Sequence, residues 1–94
     1  SNGAGDISQA QIKLIQDYRE LQDHPPAPTA TKAVWEKHYK ELDKVLVLLF
    51  NESQSDAERE QWVRQLLDTI NVGVQSGHYT QGLDRMSSLE KQIN

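Results

Sequence analysis

Apolar residues recur at helical spacing in four segments of the chain, and polar or proline-containing stretches separate these segments. The first segment predicts a helix over about residues 7–23, with Asp6 as its N-cap. One face of this helix carries Ile7, Ala10, Leu14, Tyr18 and Leu21. Ile12 and Ile15 lie off that face, which indicates a second contact surface. Residues 24–28 hold all three prolines and should connect the first two helices, because proline interrupts helical hydrogen bonding.

The second helix is predicted to begin near Thr29 or Thr31 and to run to about Asn51. Its apolar positions are Val34, Trp35, Leu42, Val45, Leu46 and Leu49, with Tyr39 and Phe50 at the edge. This arc is wider than one neighbouring helix needs, so the sequence predicts a central helix packed on two or more partners. Residues 45–50 alone would also fit a buried strand, but the uninterrupted helical pattern before them favours a helix.

Charged residues occupy the other side of the second helix. Its predicted solvent face carries Glu36, Lys37, Lys40, Glu41 and Lys44. The three lysines form a short basic stripe with acidic residues interleaved, which is typical of an ordinary solvated face. Contact with phosphates or an acidic partner is the alternative interpretation.

Two more helices follow a polar turn. Residues 55–58, Ser-Asp-Ala-Glu, match a capping box that starts the third helix, and Gly77 can end it in the left-handed conformation. The fourth helix is predicted over about residues 80–92. The apolar faces of these two helices carry Trp62, Val63, Leu66, Leu67, Ile70 and Val74, then Tyr79, Leu83, Met86, Leu89 and Ile93. We therefore predict an all-α fold, an antiparallel four-helix bundle, in a single domain over residues 6–94. Residues 1–5 are expected to be a disordered tail or cloning scar.

Composition narrows the functional classes. The chain has 94 residues, of which 36% are hydrophobic and 26% charged, and its net charge is -4. This balance argues against nucleic-acid binding. The absence of cysteine excludes disulfides, thiolate zinc sites and cysteine nucleophiles. The longest apolar run, residues 45–50, is too short to span a membrane.

Few side chains could carry out acid–base or metal chemistry. Among three histidines, His38 falls inside the apolar arc of the second helix. A single histidine in such a place is usually a packed residue, so we expect no metal site and no cofactor. A ligand-binding or metal-binding bundle around His38 is the alternative. The sequence has no repeated Glu-x-x-His, nucleophile elbow or phosphate-binding glycine loop, and we expect no enzymatic activity.

Three stretches carry a resemblance to a known family. They are Lys40-Glu41-Leu42-Asp43-Lys44-Val45-Leu46, Leu66-Leu67-Asp68-Thr69-Ile70 and Tyr79-Thr80-Gln81-Gly82-Leu83. With the turns between them, residues 31–89 resemble the helical domain shared by the steroid receptor RNA activator protein and the C-terminal end of the COPII outer-coat rod subunit. The resemblance implies a non-enzymatic interaction domain that acts in vesicle-coat assembly or nuclear coregulation.

The sequence thus predicts a protein–protein interaction or scaffold module. Candidate partner-binding residues are Ile12, Ile15, Trp35 and Tyr39, because these helices carry more apolar positions than one stripe requires. Self-association into a homodimer is the alternative. We expect the partner to be another protein or a second copy of the chain, with no nucleic acid and no membrane insertion. Neither a signal sequence nor a membrane-spanning segment is visible, so we expect a cytoplasmic location.

Overall fold

The computed structural model of the protein describes residues 7–93. Four helices lie in this range, α1 (Gln9–Asp23), α2 (Lys32–Asn51), α3 (Asp56–Ser76) and α4 (Gly82–Ile93), and the range contains no strand. The predicted all-α helical bundle is therefore confirmed. The expectation of a tail or cloning scar over residues 1–5 lies outside the described residues. Within residues 7–93, none of the helices combines the length and the apolar character that crossing a lipid bilayer demands.

A reciprocal capping box starts α1. The Ser8 hydroxyl accepts a hydrogen bond from the Gln11 backbone N–H at 3.1 Å, and the Gln11 side-chain oxygen accepts one from the Ser8 N–H at 3.2 Å. The predicted cap at Asp6 is therefore wrong, because the helix begins at Gln9 and Ser8 supplies the oxygen that its first turn needs. The Ser-x-x-Gln spacing of this box was visible in the sequence.

Hydroxyl side chains also start α2 and α3. Thr31, one of the two predicted starts, caps α2, and Ser55 caps α3 as predicted, each through a bond to the backbone N–H three residues later. Glu58 does not complete the predicted box with Ser55. Its carboxylate accepts from the Gln54 N–H at 3.2 Å instead, which closes the turn between α2 and α3.

The turn from α3 to α4 is longer than predicted. Gly77 adopts a left-handed φ of 77° and ends α3, as its position indicated. The next residues form a second turn, in which the Gly82 N–H donates to the Tyr79 carbonyl at 3.1 Å. Because of this turn, α4 begins at Gly82, and the predicted start near Thr80 is wrong.

The buried core draws on every helix and on the turn before α4. Its members are Tyr18, Leu42, Leu46, Leu49, Leu66, Ile70, Tyr79 and Leu89. α2 packs against both α1 and α3, which confirms the prediction of a central helix, while α4 packs on α3. Gln11 bonds Glu58 near the starts of α1 and α3, and Tyr18 meets Trp62 further along both helices. These contacts agree with an antiparallel order of successive helices.

α4 approaches α3 closely through a glycine. A Cβ built at Gly82 would overlap Val74 Cγ2 and would lie 3.2 Å from Ile70 Cγ2. The absence of a side chain at Gly82 therefore permits the close backbone approach. Leu83, predicted to lie on the buried stripe, is 66% exposed, because its glycine neighbour occupies the contact position.

Candidate functional site

A buried carboxylate joins α2 to the start of α4. Asp43 is 4% exposed and accepts two bonds from the Arg85 guanidinium, from Nε to Oδ2 and from Nη2 to Oδ1, both at 2.8 Å. The Tyr79 hydroxyl donates a third bond to Asp43 at 2.6 Å. Burial raises the pKa of Tyr79, and its bond to the Asp43 carboxylate raises it further, so the hydroxyl stays protonated. The charge of Asp43 is thus compensated within the fold.

A second polar contact fixes the α3–α4 turn on α2. Glu36 Oε1 accepts from the Thr80 N–H at 3.0 Å and from the Thr80 hydroxyl at 2.9 Å. The backbone bond from Thr80 is the main cause that lowers the pKa of Glu36 below its usual range. The prediction that Glu36 belongs to the solvent face is wrong, since this turn folds back over it and leaves it half-buried.

α2 and α4 flank a groove with α3 as its floor. No Cα atom of α2 lies within 8 Å of one in α4, so the two helices meet only through side chains. One cavity of about 430 Å³ is lined mainly by apolar side chains, and a second of about 330 Å³ adjoins it, sharing Val47 and Arg85. We call this surface the α2–α4 groove. It is defined by Lys40, Lys44, Val47, Phe50, Val63, Arg85 and Leu89.

The two ends of the groove differ in chemistry. The smaller cavity is lined by the charged side chains of Lys40, Lys44 and Arg85, with Asp43 as its one carboxylate, and also by Val47, Leu48 and Tyr79. Because Arg85 already pairs with Asp43, the two lysines are the remaining charged side chains that line this end. Lys40 also interacts electrostatically with Glu36, one turn earlier on α2. Neither lysine ammonium belongs to an ion pair within residues 7–93. At the opposite end, around Phe50, Arg85 is the one charged side chain in the lining.

The structure brings together two of the predicted partner-binding residues. Trp35 and Tyr39 have ring centroids 6.4 Å apart in the first half of α2. Trp35 stacks on His78 with centroids 4.0 Å apart and an interplanar angle of 9°. Tyr39 stacks on Tyr79 at 6.2 Å and packs against the core. Both rings therefore contact the α3–α4 turn, and Trp35 remains half-buried.

The other two candidates lie on α1. Ile12 is 37% exposed, whereas Ile15 is half-buried and packs against the core. The prediction that Ile15 lies off the packed face is wrong, because that face is centred on the buried Gln11 and Tyr18. Ile7, assigned to the packed face, is 58% exposed. Ile12 is thus the more exposed of the two candidates on α1.

His38 is half-buried and contacts two aromatic rings of its own helix. Trp35 and Tyr39 meet it edge-on, with centroid distances of 6.0 Å and 5.8 Å. Burial lowers the pKa of His38, and the nearby Glu41 partly opposes this change. Within the part of the chain that the structure describes, no three His, Cys, Asp or Glu side chains gather in a way that could hold a metal ion.

The α2–α4 groove lies mainly in the second half of α2, whereas the predicted partner-binding residues Trp35 and Tyr39 lie in the first half and stay a prediction. The groove uses Val47 and Phe50 in the second half, and Leu48 beside them is 39% exposed. A signal was present in the six successive apolar residues 45–50. A helix turns through about 100° per residue, so a run of that length surrounds the helix and exceeds any single buried face.

Comparisons with protein-family models, with curated proteins and with solved structures find no match for this chain. The likeness to the steroid receptor RNA activator and coat-subunit domain therefore stays a prediction from sequence. Function has to be inferred from the chemistry of this chain's own surface.

Proposed function

We propose that this protein is a non-enzymatic interaction module that binds a helix of another protein in the α2–α4 groove. The observation that carries the proposal is the mainly apolar cavity of about 430 Å³ between two helices that do not pack on each other. Apolar grooves of this kind bind the apolar face of an amphipathic helix. Burial of that face supplies the affinity, at roughly 25 cal/mol for each Å² removed from water.

The dimensions of the groove suit a helix. Packed helices lie about 8–10 Å apart, so a helix laid over α3 could contact both α2 and α4 at ordinary distances. From Lys40 to Asn51 the groove follows α2 for about 17 Å, which is roughly three helical turns. A partner segment of about three turns would therefore fill its length.

The family resemblance supports a scaffold role and gives one cellular setting for it. We propose vesicle-coat assembly in the cytoplasm as that setting, on the strength of the resemblance in residues 31–89. The groove supports the interaction independently of this cellular setting.

Selection from an unbiased library of helical peptides tests the proposal. Phage-displayed peptides would be enriched on the immobilised protein, and their binding to the Phe50→Ala variant would then be measured. Phe50 lines the groove but is not among the side chains packed on the buried core, so this variant should stay folded. Val34→Ala, an exposed apolar position in the first half of α2, is the matched control.

We expect enriched amphipathic peptides that lose at least about tenfold in affinity on Phe50→Ala and bind Val34→Ala normally. Thermal unfolding of both variants by circular dichroism confirms that they remain folded. Peptides that bind both variants equally would contradict the proposal. A concentration-dependent dimer in light scattering that Phe50→Ala abolishes would replace it with self-association.

A further inference from the structure

We infer that the helix bound in the α2–α4 groove is acidic at one end and apolar at the other, and that Lys40 and Lys44 select it by charge. This inference rests on the proposed function and specifies the chemistry of the partner. It gives a role to Lys40 and Lys44, the two lysines of the basic stripe of α2 that line the groove.

Charge complementarity carries the inference. The smaller cavity joins the apolar one through Val47 and Arg85, so a single ligand can reach both. Asp43, the one carboxylate that lines the smaller cavity, is buried and holds three hydrogen bonds from Arg85 and Tyr79. Lys40 and Lys44 are exposed and can turn their ammonium groups toward a bound carboxylate.

The distance between Lys44 and Phe50 along α2 predicts the distance between the acidic and the bulky apolar residue of the partner helix. Lys44 precedes Phe50 by six residues, which corresponds to about 9 Å along the helix axis. A partner helix lying along the groove needs an acidic side chain about two turns away from the bulky apolar residue that enters the cavity. A basic helix in the same place would bring its cations against Lys40 and Lys44.

Two synthetic peptides provide the probe. Both are amphipathic, about four turns long, with leucines at i, i+3 and i+7 spacing. One carries glutamates in the terminal turn and the other carries lysines there. Their binding to the full chain is measured by fluorescence anisotropy at low and high salt, on the native protein and on the double variant Lys40→Glu/Lys44→Glu.

The control reverses the same number of charges on the same helix outside the groove. It is Lys32→Glu/Lys37→Glu, at two exposed lysines that do not line either cavity. Circular dichroism of each variant verifies folding, which surface charge reversal should preserve.

We expect the native protein to bind the glutamate peptide roughly tenfold tighter than the lysine peptide, with the preference shrinking at high salt. Lys40→Glu/Lys44→Glu should reverse the preference, and the control variant should retain it. If both peptides bind equally and Phe50→Ala weakens both, the groove binds helices but charge selection is wrong. If neither peptide binds, both the inference and the proposed function are overturned.

Discussion

Replacing Gly73 with alanine should destabilise the protein, although alanine is the better helix former. In the middle of a helix the exchange normally gains about 1 kcal/mol. At this position the new Cβ would lie 2.7 Å from Tyr79 Cβ and 2.9 Å from Tyr39 Cδ1, well inside the usual 3.5–4.0 Å contact. Neither ring can retreat easily, because the two stack on each other at 6.2 Å and Tyr79 is buried.

Overpacking of this kind lowers the free energy of unfolding by about 1–3 kcal/mol. The clash therefore outweighs the gain in helix propensity, and the net decrease in stability is about 1 kcal/mol. For a domain of this size the loss lowers the melting temperature by roughly 4–8 °C. Urea unfolding followed by circular dichroism measures it. Asn71→Ala, at an exposed position on the same helix, is the matched control and should raise stability by a few tenths of a kcal/mol. If Gly73→Ala is as stable as this control, the close packing around Gly73 is refuted.

Three further substitutions test the buried network, His38 and a helix cap. Tyr79→Phe should lower the free energy of unfolding by about 1.5–3 kcal/mol, because it removes a buried hydrogen bond to the charged Asp43. A decrease below about 0.5 kcal/mol in urea unfolding would refute that bond. The pKa of His38 is lowered in the fold, so the unfolded chain takes up its proton first and stability should fall from roughly pH 7 to pH 5. In thermal melts over this pH range, His38→Gln should reduce the dependence of stability on pH. An unchanged pH dependence would contradict the lowered pKa of His38. Ser55→Ala should lower the free energy of unfolding by about 1 kcal/mol, because it removes the cap of α3. Ser88→Ala, at an exposed position, should not lower it in the same urea unfolding assay.

Local patterns were enough to predict the helices. Apolar spacing places each helix, and short-range side-chain bonds fix several ends, as Thr31 and Ser55 show. The errors at Asp6 and Thr80 fall at helix starts, where competing hydrogen bonds decide the boundary. At Thr80 the competitor is Glu36, which lies 44 residues away in sequence.

The candidate site could not be predicted in the same way, because long-range contacts create it. Asp43 sits among charged residues of α2, and its burial depends on Tyr79 and Arg85, which are 36 and 42 residues distant. Whether Phe50 lines a groove or a closed core depends on where α4 packs. Only Gly82, which sets how closely α4 approaches α3, carried a local signal of that geometry.

Chemical-shift mapping of the isotope-labelled protein with the glutamate peptide tests the central claim most directly. Binding in the α2–α4 groove should perturb backbone amides in the second half of α2, around Val63 in α3 and around Leu89 in α4. The amides of α1 and those near Trp35 should stay unchanged. Perturbations confined to α1 or to the Trp35 surface, or none at saturating peptide, would contradict helix binding in the groove.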